Sequence, residues 1–140
     1  MNDVIIKPVE RAQLLDVHLL LQDVSTYLPG SSSHDLIWRS FCEQENVHGW
    51  VMLIENRVIG YGSIVLEHKI RGGRAGHIED IVIDKEYRKL GLGQFLVNFI
   101  LEFATSAGCY KVSLQCATSN QGFYRSIGFE QSGLAMQRFL

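Results

Sequence analysis

The chain has 140 residues, 46% of them hydrophobic and 20% charged, with a formal charge of −2. That length suits one domain, 1–140, with its own buried core and is short for two, while the composition excludes a disordered chain. A slight negative charge speaks against the basic surface on which non-specific nucleic-acid binding rests. No apolar run reaches membrane-spanning length, and "MNDVIIKPVERAQ" lacks the basic start and long apolar centre of a secretion signal. The expectation is a cytoplasmic protein with no nucleic-acid and no membrane partner.

In chain order, "VIIKPV" at 4–9 reads as a first strand. Leu14, Val17, Leu21, Val24 and Leu28 recur at helical spacing and predict a helix that Pro29-Gly30 ends. Ser32 or Ser33 can cap a second helix through "HDLIWRSFCEQE", with Leu36, Ile37 and Phe41 on its buried side. "GWVMLIE", the turn Glu55-Asn56-Arg57 and "VIGYGSIVLEHK" form a predicted antiparallel hairpin. "IRGGRAG" is a glycine- and arginine-rich loop before the strand "HIEDIVID". Leu92, Phe95, Leu96, Phe99, Ile100 and Phe103 mark an amphipathic helix that Gly108 closes. "YKVSLQC" returns as a strand, Asn120 caps the short helix "QGFYRSI", Gly128 closes it, and "FEQSGLAMQRFL" supplies a last strand. The order β-α-α-β-β-β-α-β-α-β, without repeat or linker, implies an α+β fold in which helices pack on one mixed sheet.

Cys42, Cys109 and Cys116 are odd in number and lack CxxC spacing, so reduced thiols are expected. The five histidines show no ligand spacing, so no metal is expected. His77 reads as structural, and Trp38 and Trp50 as core or interface residues. Glu79 and Asp80 are adjacent, and on a regular strand they point to opposite faces, which forbids a paired-carboxylate unit.

The segment "RKLGLG" at 88–93 stands between an Ile- and Val-rich strand and a helix. Such a loop aims several backbone N–H groups at one spot by the positive end of the helix dipole, and glycine lets an anion approach the bare backbone. Leu96 stands where a dinucleotide fingerprint needs a third glycine, and Gly93-Gln94-Phe95 where a P-loop needs Gly-Lys-Ser/Thr, so both motifs fail.

"DKEYRKLGLGQFLV" resembles the Arg/Gln-x-x-Gly-x-Gly/Ala segment with which the acyl-CoA N-acyltransferase (GNAT) family holds the pyrophosphate of coenzyme A. Together "GHIEDIVIDKEYRKLGLG", "CYKVSLQC" and "NQGFYRSIGF" resemble the branch of that family that acetylates an amino-sugar phosphate, glucosamine 6-phosphate, on the way to UDP-N-acetylglucosamine. The resemblance is strong from about Lys69 onward and weak over the first fifty residues. It implies the GNAT fold, acetyl-CoA as co-substrate, no metal, and direct attack of the amine in a ternary complex. On this resemblance Ile81, Val82 and Ile83 line the pantetheine arm, with an unpaired backbone N–H near Val82 as oxyanion donor. Arg88, Lys89, Leu90, Gly91, Leu92, Gly93 and Gln94 cradle the pyrophosphate, and Gln115, Asn120 and Tyr124 complete the cofactor site. Tyr124 falls on the family's leaving-group acid. Ser25, Lys69, Ile70, Arg71, Glu79, Asp80, Tyr110, Lys111 and Arg138 are implied for the sugar phosphate. A homodimer that exchanges the apolar "GLAMQRFL" strand is implied as well.

Two departures from the family pattern stand out. The loop "IRGGRAG" is about two residues short, with Arg74 as a substitute phosphate contact, and Gln115 stands where members carry Asp or Glu. A glutamine cannot accept a proton as a general base. The main-chain carbonyl can still orient the amine there, the proton leaving through water with Glu79 assisting. Other readings are a same-fold acetyltransferase for a polyamine, an aminoglycoside or a protein amino terminus, and a non-catalytic acyl-CoA sensor.

Overall fold

A computed structural model describes residues 3–140. Five strands lie in the order β1 (Val4–Pro8), β2 (Val47–Ile54), β3 (Arg57–His68), β4 (Arg74–Ile83) and β5 (Cys109–Ser113). Neighbours from β1 to β4 are antiparallel, and β5 runs parallel to β4. The β2–β3 hairpin turns through Glu55 and Asn56, both left-handed at φ 49° and 65°, as a tight two-residue hairpin requires.

The helices are α1 (Leu14–Leu21), α2 (His34–Cys42), α3 (Leu92–Ser106) and α4 (Gln121–Ser126). Alternation along the strands feeds two cores. On one face Met52, Ile59, Ile64 and Ile78 meet Leu96, Val97 and Ile100 of α3. On the other, Val51, Leu53, Val58, Tyr61 and Val82 meet Val17 of α1. Trp50 is buried, with Phe99 and Phe103 edge-on to it, so it is a core residue.

Three expectations need correction. The first helix stops at Leu21, and Val24 and Leu28 are exposed. The reason is Gln22, whose amide donates to the carbonyls of His18 (2.9 Å) and Tyr27 (2.7 Å) and folds the chain back across the helix end. Leu36 is 62% exposed, and α2 buries His34 instead. The last strand does not form within this chain: residues 130–140 are exposed and without regular structure. The other nine elements occur in the expected order.

Candidate active site

β4 and β5 pair only over Arg74–His77 and Cys109–Ser113. Beyond His77 the strands part, so among the described residues the second half of β4 has β3 on one side and no strand on the other. The amide of Asp84 donates to the carbonyl of Ile59 (2.7 Å), which makes Ile59/Asp84 and Tyr61/Val82 the hydrogen-bonded pairs of this antiparallel register. The amides of Ile81 and Ile83 therefore face the open wedge. Val82 is turned into the ladder and its side chain is buried, so the wedge-facing amides near Val82 are those of Ile81 and Ile83. Arg88 fits this phase, its Nε donating to the Ile83 carbonyl on the wedge side (3.0 Å).

The wedge begins at a bulge. Ser63 pairs with Glu79 and Tyr61 with Val82, so Gly62 alone opposes Asp80 and Ile81. Asp80 takes a left-handed backbone, φ 56°. One extra residue resets the alternation: Ile78 and Ile81, three apart, both pack on the α3 face. Glu79, opposite Ser63, and Asp80, whose charge acts on Tyr61, thus share the α1 side. The expectation that they point to opposite faces is corrected, because it assumed an unbroken pleat. Partial burial raises the Asp80 carboxyl above its ordinary pKa, even though the residue as a whole is exposed. Burial likewise pushes the Tyr61 phenol up to about 12.

Beyond β4 the chain turns through Asp84, whose Oδ1 accepts the Glu86 amide (2.9 Å), and enters α3 through Lys89 (φ 64°) and Gly91 (φ 79°). The carbonyl of Gly91 accepts the first helical bond, from Phe95, and no side chain caps the helix. The amides of Leu92, Gly93 and Gln94 are left without a helical partner. This donor set beside a bare glycine fits a pyrophosphate. The two glycines do different work. A Cβ on Gly91 would meet open space, whereas one on Gly93 would sit 3.2 Å from the ring of Phe123, so Gly93 lets α4 approach α3. Arg88 is committed elsewhere: its guanidinium pairs with Asp23 (3.0 Å) and locks the loop to the chain after α1.

Tyr124, on α4, packs against the α3-side core with Phe123 and Phe129 edge-on to its ring. It anchors α4 more deeply than Phe123, which is 38% exposed. Burial, then the charge of nearby Cys116, raise its pKa, so the phenol keeps its proton at neutral pH. Gln115 and Asn120 are exposed in the segment between β5 and α4 that borders the wedge.

The basic candidates lie elsewhere. Lys69, Ile70 and Arg71 occupy the β3–β4 turn, where Lys69 pairs with Glu67 (3.1 Å), as does His77 (2.9 Å). That turn lies over Tyr110, since a Cβ on Gly73 would come 3.3 Å from its ring, and Lys111 stands 5.7 Å over the same ring. The Arg74 guanidinium donates to the Ala107 carbonyl at the end of α3. Six residues of β4 separate this end from the bulge, about 20 Å at the usual strand rise. Ser25 is exposed just after α1, and Arg138 is exposed in the carboxy-terminal segment. Sequence reasoning missed Asp23, Tyr61 and Ser63. The apolar i, i+3 spacing of Ile78 and Ile81 inside a strand was the signal for the bulge.

The family model for the acetyltransferase (GNAT) family matches residues 17–129, and the chain belongs to that family. It is 36% identical, over 59% of its length, to a glucosamine 6-phosphate N-acetyltransferase of Arabidopsis thaliana, covering 57% of that relative. It is 38% identical, over 67% of its length, to the enzyme of that name from Trypanosoma brucei brucei, covering 59%. The chain thus spans between half and three fifths of the length of these curated relatives. The crystal structure of the Arabidopsis thaliana glucosamine-6-phosphate N-acetyltransferase is similar at a TM-score of 0.87 and 27% identity, over 98% of each chain. No helix of the described residues is long and apolar enough to cross a membrane, and no group of three metal-ligating side chains occurs among them.

Proposed function

We propose that the protein transfers the acetyl group of acetyl-CoA to the amine of glucosamine 6-phosphate, giving N-acetylglucosamine 6-phosphate and CoA, as one cytoplasmic domain serving UDP-N-acetylglucosamine synthesis. The observation that carries the reading is the open edge of β4, which leads from the bulge directly to the uncapped start of α3. A pantetheine arm has peptide-like amides that can pair with the backbone of Ile81 and Ile83, and its pyrophosphate fits the amides of Leu92 to Gln94. The thioester then lies near the bulge, where a wedge-facing amide can donate to its carbonyl oxygen as charge develops. Tyr124 supplies a proton to the departing sulfur. Glu79 and Asp80 meet the sugar side of the reaction.

The substrate class rests on the relatives at 36% and 38% identity, and it has a consequence for assembly. Lys69 and Arg71 stand in the turn before Arg74, about 20 Å along β4 from the bulge, and Lys111 is level with Ala75, about 17 Å from it. In this reading a homodimer completes the phosphate site, a second copy bringing further basic residues to this bulge. The free edge of β5 and a groove of about 390 Å³ beside it, lined by Leu101, Ala104, Val112, Ile127 and Phe129, suit the apolar carboxy-terminal segment of a second copy.

The test is thiol release from acetyl-CoA with a panel of amines. Glucosamine 6-phosphate should react much faster than glucosamine, because remote binding energy positions the amine. Equal rates for the two sugars, or a preference for spermidine or an aminoglycoside, would reassign the substrate.

A further inference from the structure

Gln115 leaves the site without the carboxylate that the family pattern places there, yet an amine attacking a thioester must lose a proton. Two features of the structure single out one acid. Asp80 is the extra residue of the bulge and immediately precedes Ile81, whose amide faces the wedge. Its left-handed backbone (φ 56°) is a conformation that non-glycine residues seldom adopt, and such strain persists where surrounding structure enforces it. Among the described residues neither Asp80 nor Glu79 makes an ion pair, whereas Asp23, Glu67 and Asp84 are each held by a cation, so the choice between the two rests on the bulge.

We propose that Asp80, rather than Gln115 or Glu79, accepts the proton of the attacking amine. The assignment rests on the acetyl-transfer reading and deepens it. In the step, the amine nitrogen forms a bond to the acetyl carbonyl carbon and the carbon–sulfur bond breaks. The nitrogen's proton passes to the Asp80 carboxylate, and the Tyr124 hydroxyl protonates the sulfur. Asp80 then returns its proton through solvent to the phenolate, so amine and thioester become amide and thiol with nothing left over. Partial desolvation, which raises the Asp80 pKa, makes the carboxylate a stronger base than an exposed aspartate. Tyr61 on β3, kept neutral by its own burial, is the titratable neighbour that feels this charge, and Glu79 flanks it on β4. Glu79 stands one residue farther from the wedge-facing amide of Ile81, opposite Ser63.

The bulge conformation makes the test clean, because asparagine and glycine are the residues that tolerate a left-handed backbone best. Asp80→Asn keeps shape and removes basicity. Asp80→Gly keeps the backbone and opens a space that added formate can enter. With acetyl-CoA and glucosamine 6-phosphate, Asp80→Asn should lower kcat by roughly 10²- to 10⁴-fold, with KM for either substrate changed less than threefold. Millimolar formate should restore part of the kcat of Asp80→Gly and leave Asp80→Asn unaffected. A raised sugar KM with normal kcat would make Asp80 a sugar contact and overturn the assignment, as would a lowered kcat that formate does not rescue. Wild-type turnover of the sugar phosphate with an unimpaired Asp80→Asn keeps the acetyl-transfer reading and removes this one. A wild type that acetylates no amine removes both.

Discussion

Tyr124 carries two demands at once, and a single atom separates them. Its ring is part of the α3-side core, between Phe123 and Phe129, while its hydroxyl has no hydrogen-bond partner among the described residues. Tyr124→Phe should therefore melt within a few degrees of the wild type and lose roughly ten- to a thousandfold in kcat, with little change in acetyl-CoA affinity. Near-normal turnover under conditions where chemistry limits the rate would leave Tyr124 as packing alone. The glycines allow a second test at this scale. Gly91→Asn keeps the left-handed backbone and meets nothing in the free protein, so folding should be unchanged while acetyl-CoA affinity falls about tenfold, ~1.4 kcal/mol. Unchanged affinity by calorimetry would remove the pyrophosphate from that position. Gly93 is a poor probe, because a side chain there first displaces Phe123. The turn into α3 was legible in the sequence because glycine and a following helix write directly into the chain. The partners of Arg88 and Arg74 were not, since Asp23 and the Ala107 carbonyl are brought to them only by the fold.

Among the elements, regular strands and the long helix were readable because their apolar periods survive in the folded chain. α1 was overextended by two helical turns of pattern, since Val24 and Leu28 keep the spacing while Gln22 hydrogen-bonds the helix shut. The bulge was read as pleat for the opposite reason: one inserted residue shifts the faces of a strand while leaving its composition unchanged. The α1–α2 layer also carries a pH response. His18 and His34 meet edge to face with centroids 5.2 Å apart, and His18 Nδ1 and His34 Nε2 are buried without partners. Burial, then His34, lower the pKa of His18 below its usual 6.5. The unfolded chain thus takes up this proton at a higher pH than the folded one. Stability should begin to fall as pH drops through about 6.5, and go on falling until pH reaches the lowered folded value. The melting temperature should decrease from pH 7.5 to 5.5, and His18→Gln should flatten that slope. An equal slope in both proteins would place the response elsewhere.

For the whole molecule, the decisive feature is what the chain leaves uncovered. Leu134, Met136, Phe139 and Leu140 are 87%, 93%, 90% and 114% exposed, and among the described residues the strand expected there has no partner. Burying such side chains stabilises by roughly 1.5–3 kcal/mol apiece, a gain that works against the cost of association and of ordering the segment. The groove beside β5 offers apolar walls and a free strand edge, and a two-fold axis lets each chain give and receive the same segment. The same exchange would carry Arg138, which lies in that carboxy-terminal segment, onto the other copy. Light scattering of the full chain should accordingly return twice the 15.8 kDa monomer mass. Removing residues 133–140 should give a monomer that still binds acetyl-CoA, because the phosphate loop and the β4 edge lie within one chain, but that no longer favours glucosamine 6-phosphate over glucosamine. A full-length monomer with full activity, or a truncated protein that keeps the sugar-phosphate preference, would show that one chain builds the whole site.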